Sequence, residues 1–399
     1  MQRFYLDENA TSELDLRVRA TMEKLLAAPL GNPSSLHAEG RRARGEIDLA
    51  RDEIAAWLQA KPSEIVFTSG GTESCNLAVQ GLAGANQGRG RHLITTKTEH
   101  HAVLHAFQAL AKGKNFEVTF LGVDTDGLVD PEALERAIRR DTILVSIMSA
   151  NNETGVRQPM RELGAICARR GVLFHSDAIQ SAGKEEIDLA GWQVSAVSLA
   201  AHKFHGPTGV GALWLKAGVP VAALMFGGAH ENERRPGTEN AVAIAGMAEA
   251  VRHFGRPDPT EARRQFLWTE RLWQELEEMG GIRRNGHPEQ RLPNTLNVSF
   301  LGLHGEDLLI GLDLAGLSVS SGSACLVGSV QPSHVLAAMG VDDEWAGATV
   351  RISIGRQIRD EDVGEVARRI REVVRHQRAL RGWTPDAARA KTTFQEVLV

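Results

Sequence analysis

Between residues 65 and 200 the chain repeats one pattern, a short apolar run followed in most cases by a stretch of helical periodicity. The apolar runs are Ile65 to Thr68, His92 to Thr96, Phe116 to Val123, Ile143 to Ala150, Val172 to Asp177 and Ala196 to Ala200. Alternation of this kind predicts an α/β fold whose mainly parallel sheet lies between helices. Ligands of such sheets sit beyond the carboxyl ends of the strands, so the residues there are the first candidates for a site. Residues 3 to 7 read as a short extended segment. Leu14, Val18, Met22 and Leu25 then fall at helical spacing, and Ile47, Ile54, Trp57 and Leu58 give a second helix its apolar stripe.

A chain of 399 residues exceeds one ordinary core, so a large and a smaller domain are expected. Gly255-Arg256-Pro257-Asp258-Pro259 breaks a helical stretch and is the best candidate boundary. The large domain is placed at residues 16–258. Residues 1–15 and 259–399 are assigned to the smaller α+β domain. It contains a charged helix from about Glu261, a strand around Leu296 to Phe300, a helix near Glu306 to Leu314, a strand at Val350 to Ile354 and a last helix from about Asp360. The tail after Gly382 has little pattern. Lys and Arg number 45 against 50 Asp and Glu, and the basic residues are interleaved with acidic ones. Neither nucleic acid nor a membrane surface is therefore expected as a partner. The start MQRFYLDENA has no apolar signal region, and no apolar stretch is long enough to span a bilayer, so the expected location is cytoplasmic. Three scattered cysteines, Cys75, Cys167 and Cys325, are too few for a disulfide framework, in keeping with a reducing compartment.

The strand ends carry the chemistry. Ser198-Leu199-Ala200 runs into His202-Lys203 and then into a Gly/Pro turn. A lysine beside apolar residues loses its proton at modest cost, and the neutral amine can form a Schiff base with an aldehyde cofactor, the natural one being pyridoxal phosphate. The plainer alternative is a lysine that snorkels to water. Gly70-Gly71-Thr72, between a strand and a helix start, presents backbone N–H groups and a hydroxyl to an anion, although such turns also occur for conformational reasons alone. Asp177 closes its strand where a carboxylate would keep a pyridine nitrogen protonated, or would simply cap a helix. Three residues on, Gln180 could donate to a ring oxygen of the cofactor. His100 could stack on a planar ring and move protons near neutral pH.

Asn152 lies in the polar turn Asn151-Asn152-Glu153-Thr154-Gly155, suited to contacting substrate or cofactor, or serving only as a turn. Arg351 stands inside an apolar strand and needs an anionic partner, either a substrate carboxylate or an internal salt bridge. Cys325 sits in the small-residue loop Ser320-Ser321-Gly322-Ser323-Ala324-Cys325, which favours a reactive thiol over a structural one. Cys167 belongs to an apolar stripe with Leu163 and Ile166. Cys75 lies on the first helical turn after the cradle, where packing is the simpler role than a lowered thiol pKa. His101 and His105 are one helical turn apart but lack a third ligand at sensible spacing, so no metal site is expected.

Taken in order, these residues resemble the cysteine desulfurases of the NifS/IscS type, within the class V aminotransferase family of fold-type I pyridoxal-phosphate enzymes. The resemblance runs through Leu6-Asp7-Glu8-Asn9-Ala10-Thr11, Gly31-Asn32-Pro33-Ser34-Ser35, Gly70-Gly71-Thr72-Glu73-Ser74, Thr98-Glu99-His100, Asn151-Asn152-Glu153-Thr154-Gly155, Asp177-Ala178-Ile179-Gln180 and Ala201-His202-Lys203. It continues through Arg235-Pro236-Gly237-Thr238-Glu239-Asn240, the Cys325 loop and Arg351-Ile352-Ser353-Ile354-Gly355-Arg356. It implies that Lys203 carries the cofactor, that Asp177 pairs with the pyridine nitrogen and that Gln180 contacts the ring oxygen. Gly71, Thr72 and His202 would hold the phosphate, joined by Thr238 from a second subunit, which implies a homodimer with shared sites. Asn152 and Arg351 would fix the substrate carboxylate, and His100 would stack on the ring.

The implied reaction converts L-cysteine to L-alanine and leaves a persulfide on Cys325. That sulfur would pass to an acceptor protein, such as an iron-sulfur scaffold or a tRNA-thiolation protein. No metal is held by the chain itself, and an iron-sulfur cluster would meet the Cys325 persulfide only on a partner. A loop with Gly322 and Gly328 near the cysteine could swing the sulfur outward. Three departures stand out. Ala200 occupies a place where the family usually has a serine on the phosphate, Leu326-Val327 replaces small hydroxyl residues, and Ile179 replaces a smaller or hydroxylated residue, with little consequence expected from the last. Two alternatives are an aminotransferase or β-lyase that does not use Cys325, and a non-catalytic scaffold of the same fold.

Overall fold

The computed structural model describes residues 2–321 and 333–384. Its main sheet has seven strands in the order Ile65–Thr68, Gly211–Leu215, Ala196–Ala200, Leu173–Asp177, Thr142–Ser146, His92–Thr96 and Glu117–Leu121. All neighbours pair in parallel except Gly211–Leu215, which is antiparallel to both its neighbours. That strand is absent from the sequence expectation because it follows the Gly206 to Gly209 turn directly, with no helical segment to announce it. Side chains along a strand face alternate sides of a sheet. Val66 and Leu213 accordingly pack in a core with the helices Gly71–Asn86 and His101–Gly113, while Phe67, Ala212 and Trp214 face the core on the other side. Both faces are buried, which explains why these strands read as continuous apolar runs rather than alternating ones.

Expected strands are in places shorter than their apolar runs: Phe116 to Val123 pairs only over Glu117–Leu121. Ile143 to Ala150 pairs only over Thr142–Ser146, although Ile147, Met148 and Ala150 remain buried as the chain leaves the sheet. Asp258 caps the helix Pro259–Glu277, accepting from the Thr260 and Glu261 N–H groups, so this helix begins slightly before the expected Glu261.

Beyond that cap, an antiparallel sheet in the order Thr349–Ser353, Thr295–Phe300, Ile282–Asn285 packs against Pro259–Glu277 and Asp362–Leu380. Leu272, Leu296, Val298, Phe300, Val350, Ile352 and Ile370 make its core, which Phe4 and Leu6 from the chain start join. The strand Phe4–Tyr5 pairs in parallel with Leu317–Ser318, so the N-terminal segment is built into this second core. Among the described residues no helix is long and apolar enough to cross a membrane.

Candidate active site

Gly71, Thr72, His100, Asn152, Asp177, Gln180, His202, Lys203 and Arg351 line one cavity of about 340 Å³ at the carboxyl edge of the large sheet. Several of them are carried by strands or the turns that end them. Asp177 is the last residue of Leu173–Asp177, and Lys203 closes the short turn Ala201–Lys203 that follows Ala196–Ala200. Arg351 comes from the other sheet, inside Thr349–Ser353. Thr238 is exposed and is not among the residues of the cavity wall. Cys325, with Gly322, Leu326, Val327 and Gly328, lies outside the described residues.

Lys203 reaches into the site through its main-chain acceptors. Its Nζ donates to Asn9 O at 2.6 Å and to Ala10 O at 2.8 Å. Burial pulls its pKa down to about 7, helped by the nearby charges of Arg351 and Lys184. The amine therefore titrates near neutrality instead of staying fixed as a cation. Asp177 is buried, accepting from the Ile179 N–H at 3.0 Å and from the Cys75 thiol at 3.5 Å. The turn-capping role and the aim into the cavity thus coexist in one carboxylate. Burial raises its pKa, while His100 and the Ile179 N–H pull the other way.

Gln180 donates from Nε2 to Asn9 O at 2.9 Å, and its buried Oε1 has no partner. His100 caps the helix His101–Gly113: its Nδ1 accepts from the Ala102 N–H at 3.1 Å, which fixes the neutral ring with its proton on Nε2. Burial lowers the pKa of this ring. His202 stands 3.1 Å from Thr11 Oγ1, and burial takes its pKa down to about 4, so it remains neutral.

The anion cradle is the N-terminus of Gly71–Asn86. Gly70 precedes it at φ 150° and ψ −175°, a region that is essentially glycine-only. A Cβ on Gly71 would lie 2.3 Å from Ile179 Cδ1 and 3.4 Å from Ala200 Cβ. Ile179 fills the space over the cradle glycine, and Ala200, another of the departures, lies on the same side of it.

Arg351 is 2 % exposed and makes the internal salt bridge that was one of its two expected partners, Nη2 to Asp7 Oδ1 at 2.6 Å. Its Nη1 donates to the main-chain carbonyl of Asn152 at 3.0 Å, and its Nε has no partner. Asn152 thus contributes its carbonyl to the arginine. Sequence reasoning gave no individual role to Asp7, Asn9 or Glu99. Glu99 is fully buried, accepts from the Met148 N–H at 2.7 Å and the Thr96 hydroxyl at 3.0 Å, and is pushed up to about 8 by burial. The only sequence signal for these three was membership of a motif. Cys75 is packed as expected, with burial raising its thiol pKa rather than the helix lowering it, and burial takes Cys167 up to about 12. Among the described residues no group of His, Cys, Asp and Glu could hold a metal. His101 and His105 instead stack their rings at 5.0 Å.

The profile described as "Aminotransferase class-V" matches residues 4–366. A cysteine desulfurase IscS of Methanosarcina thermophila is 43% identical over 386 residues, covering 96% of this chain and 95% of the relative. One from Dictyoglomus turgidum is also 43% identical, over 93% of this chain and 95% of its own length. Among solved structures, a NifS-like protein superposes with a TM-score of 0.87 at 37% identity, covering 94% of this chain and all of the other. SspA in complex with cysteine gives 0.78 at 35% identity, over 88% of this chain and 98% of that one. The chain belongs to the class-V aminotransferase family, whose enzymes depend on pyridoxal phosphate. Within that family it stands with the cysteine desulfurases of the NifS/IscS type.

The residues fit that cofactor. The glycine turn at a helix N-terminus would take the phosphate, the unpartnered Gln180 Oε1 and buried Asp177 offer polar atoms to the ring, and Lys203 supplies an amine that can lose its proton near neutral pH.

Proposed function

We propose that this protein is a cysteine desulfurase that converts L-cysteine to L-alanine and passes the sulfur through Cys325 to an acceptor protein. The observation that carries this reading is Lys203: a lysine with its pKa brought down to about 7, beside Asp177 and Gln180 in one cavity at the sheet edge. Pyridoxal phosphate, when bound, supplies an electron sink for breaking the bond from the substrate α-carbon to hydrogen. Asp177 would pair with the pyridine nitrogen and keep a proton on it, and burial makes this carboxylate the more basic partner for that proton. Gly71, Thr72 and His202 would hold the phosphate, the neutral His202 ring adding no charge there.

Arg351 takes the substrate carboxylate, with Asp7 and the Asn152 carbonyl keeping the guanidinium oriented before substrate arrives. Lys203 accepts and returns the α-proton, for which a pKa near neutrality is matched to physiological pH. His100 would stack on the ring; because its Nδ1 accepts from the Ala102 N–H, its proton is left on Nε2. The Cys325 thiolate attacks the substrate sulfur, so that a sulfur–sulfur bond forms as the sulfur–carbon bond breaks. The electron pair of the broken bond leaves with the carbon fragment, which becomes alanine on protonation.

The acceptor is a sulfur-accepting protein such as an iron-sulfur scaffold or a tRNA-thiolation protein. The working unit is a homodimer in which the exposed Thr238 completes the phosphate site of the second subunit. Its large domain is residues 16–258, and its small domain comprises 1–15 with 259–399. The separate cores on either side of Asp258 support that division. Sedimentation at twice the chain mass is expected, and a monomer at micromolar concentration with full activity would remove the shared site. The activity itself is tested by alanine formation from L-cysteine, which should be lost in Cys325→Ala.

A further inference from the structure

Lys203 lines a second, smaller cavity of about 50 Å³, whose wall also includes Lys184. Lys184 has no part in the reaction steps above, yet its side chain joins two turns that carry the site. Its Nζ donates to the Gln180 carbonyl at 3.2 Å and to the Lys203 carbonyl at 3.2 Å. The first carbonyl belongs to the turn after Leu173–Asp177, and the second to the turn after Ala196–Ala200. Its position is held by Gly183 at φ +75°, where a Cβ would lie 2.6 Å from the Phe254 carbonyl. The backbone is therefore pressed against the end of Ala241–Phe254, and the lysine has little freedom to withdraw.

We propose that Lys184 is a positioning residue for the cofactor lysine: its ammonium ties the Gln180 and Lys203 turns together and biases the Lys203 amine towards its uncharged form. The inference rests on the reading of Lys203 as the attachment site. Three cations, Lys184, Lys203 and Arg351, share this buried region, and the opposing charges are divided among them. Glu8 and Glu185 face Lys184, whereas Asp177 and Asp7 face Lys203. Arg351 acts on both lysines and cannot give up its own proton. Burial brings Lys184 down to about 8, so it is mostly charged at pH 7, and its field also lowers the pKa of His202 and His205. Like charges at close quarters in a poorly solvated site disfavour a second proton, and that cost falls on Lys203.

The test is a pH titration of the visible absorbance of the holoenzyme for the wild type, Lys184→Met and Lys184→Arg. Loss of the charge should move the midpoint up by about one pH unit, a tenfold gain in proton affinity, while Lys184→Arg should stay near the wild type. Thermal melts run alongside, because a merely structural role would lower the melting temperature without moving the midpoint. Where Lys184→Met loses its fold, Lys184→Gln keeps a donor for the carbonyls without the charge and should show the same upward movement. The pH dependence of Lys203 acylation by acetic anhydride in the cofactor-free protein, read by peptide mass, should shift in the same sense. An unmoved midpoint in folded Lys184→Met or Lys184→Gln overturns the proposal. Borohydride reduction of the wild-type holoenzyme separates the two readings. Cofactor fixed to a lysine other than Lys203 would remove the assignment of Lys203 itself, whereas fixation on Lys203 with no shift removes only the role of Lys184.

Discussion

Lys203 holds its proton weakly because water is kept from its ammonium and Arg351 adds a repelling charge. The sign of the resulting stability effect follows from comparing the two states. The unfolded chain binds the Lys203 proton up to its ordinary value of 10.5, while the folded, cofactor-free protein releases it near 7. The penalty for burying the cation is therefore fully present below pH 7 and fades as the pH rises from 7 towards 10.5. Lys203→Met should raise the melting temperature of the cofactor-free protein at pH 6 by a few degrees, and by less at pH 10. An equal rise at both values would mean that packing, not charge, sets the difference. At this scale the sequence was legible wherever a polar residue closed an apolar run, as Asp177 and Lys203 do. Asn9 and Asp7 were not, because their contacts to Lys203 and Arg351 are made by main-chain atoms or across nearly the whole chain length. No local pattern encodes such pairs.

The elements that build the cradle depend on one backbone conformation. Gly70 at φ 150° lets the strand Ile65–Thr68 turn straight into the helix Gly71–Asn86, so that Gly71 and Thr72, its first residues, line the cavity. Gly70→Ala should cost about 1–3 kcal/mol through strain at that position. The visible signature would be faster loss of cofactor on dialysis, with the far-ultraviolet circular dichroism unchanged; full retention would show that the turn tolerates a side chain. The order of strands and helices up to Ala200 was legible because both faces of the sheet are covered and each strand is a plain apolar run. Gly211–Leu215 was not, since an antiparallel return through a short turn lacks the helix that marks the other strands.

Over the whole molecule, the cofactor cavity is completed from both cores. Gly71, Asp177 and Lys203 come from the large sheet, and Arg351 from the smaller one, held by Asp7 of the N-terminal segment. On the proposed reading, the groups for the substrate carboxylate and those for the cofactor come from different sheets. The break expected at Gly255 to Pro259 falls where Asp258 caps a helix, but only the pairing of Phe4–Tyr5 with Leu317–Ser318 explains how the chain start reaches the site. The central claim is that Cys325 takes sulfur from L-cysteine. Its most direct test is a single turnover of the purified holoenzyme with L-cysteine and no reductant, followed by intact mass and alanine assay, beside Cys325→Ala. The account predicts one added sulfur on Cys325 with matching alanine, and neither product in the variant. Alanine or pyruvate formed equally by Cys325→Ala would contradict it and assign the site to lyase or transaminase chemistry.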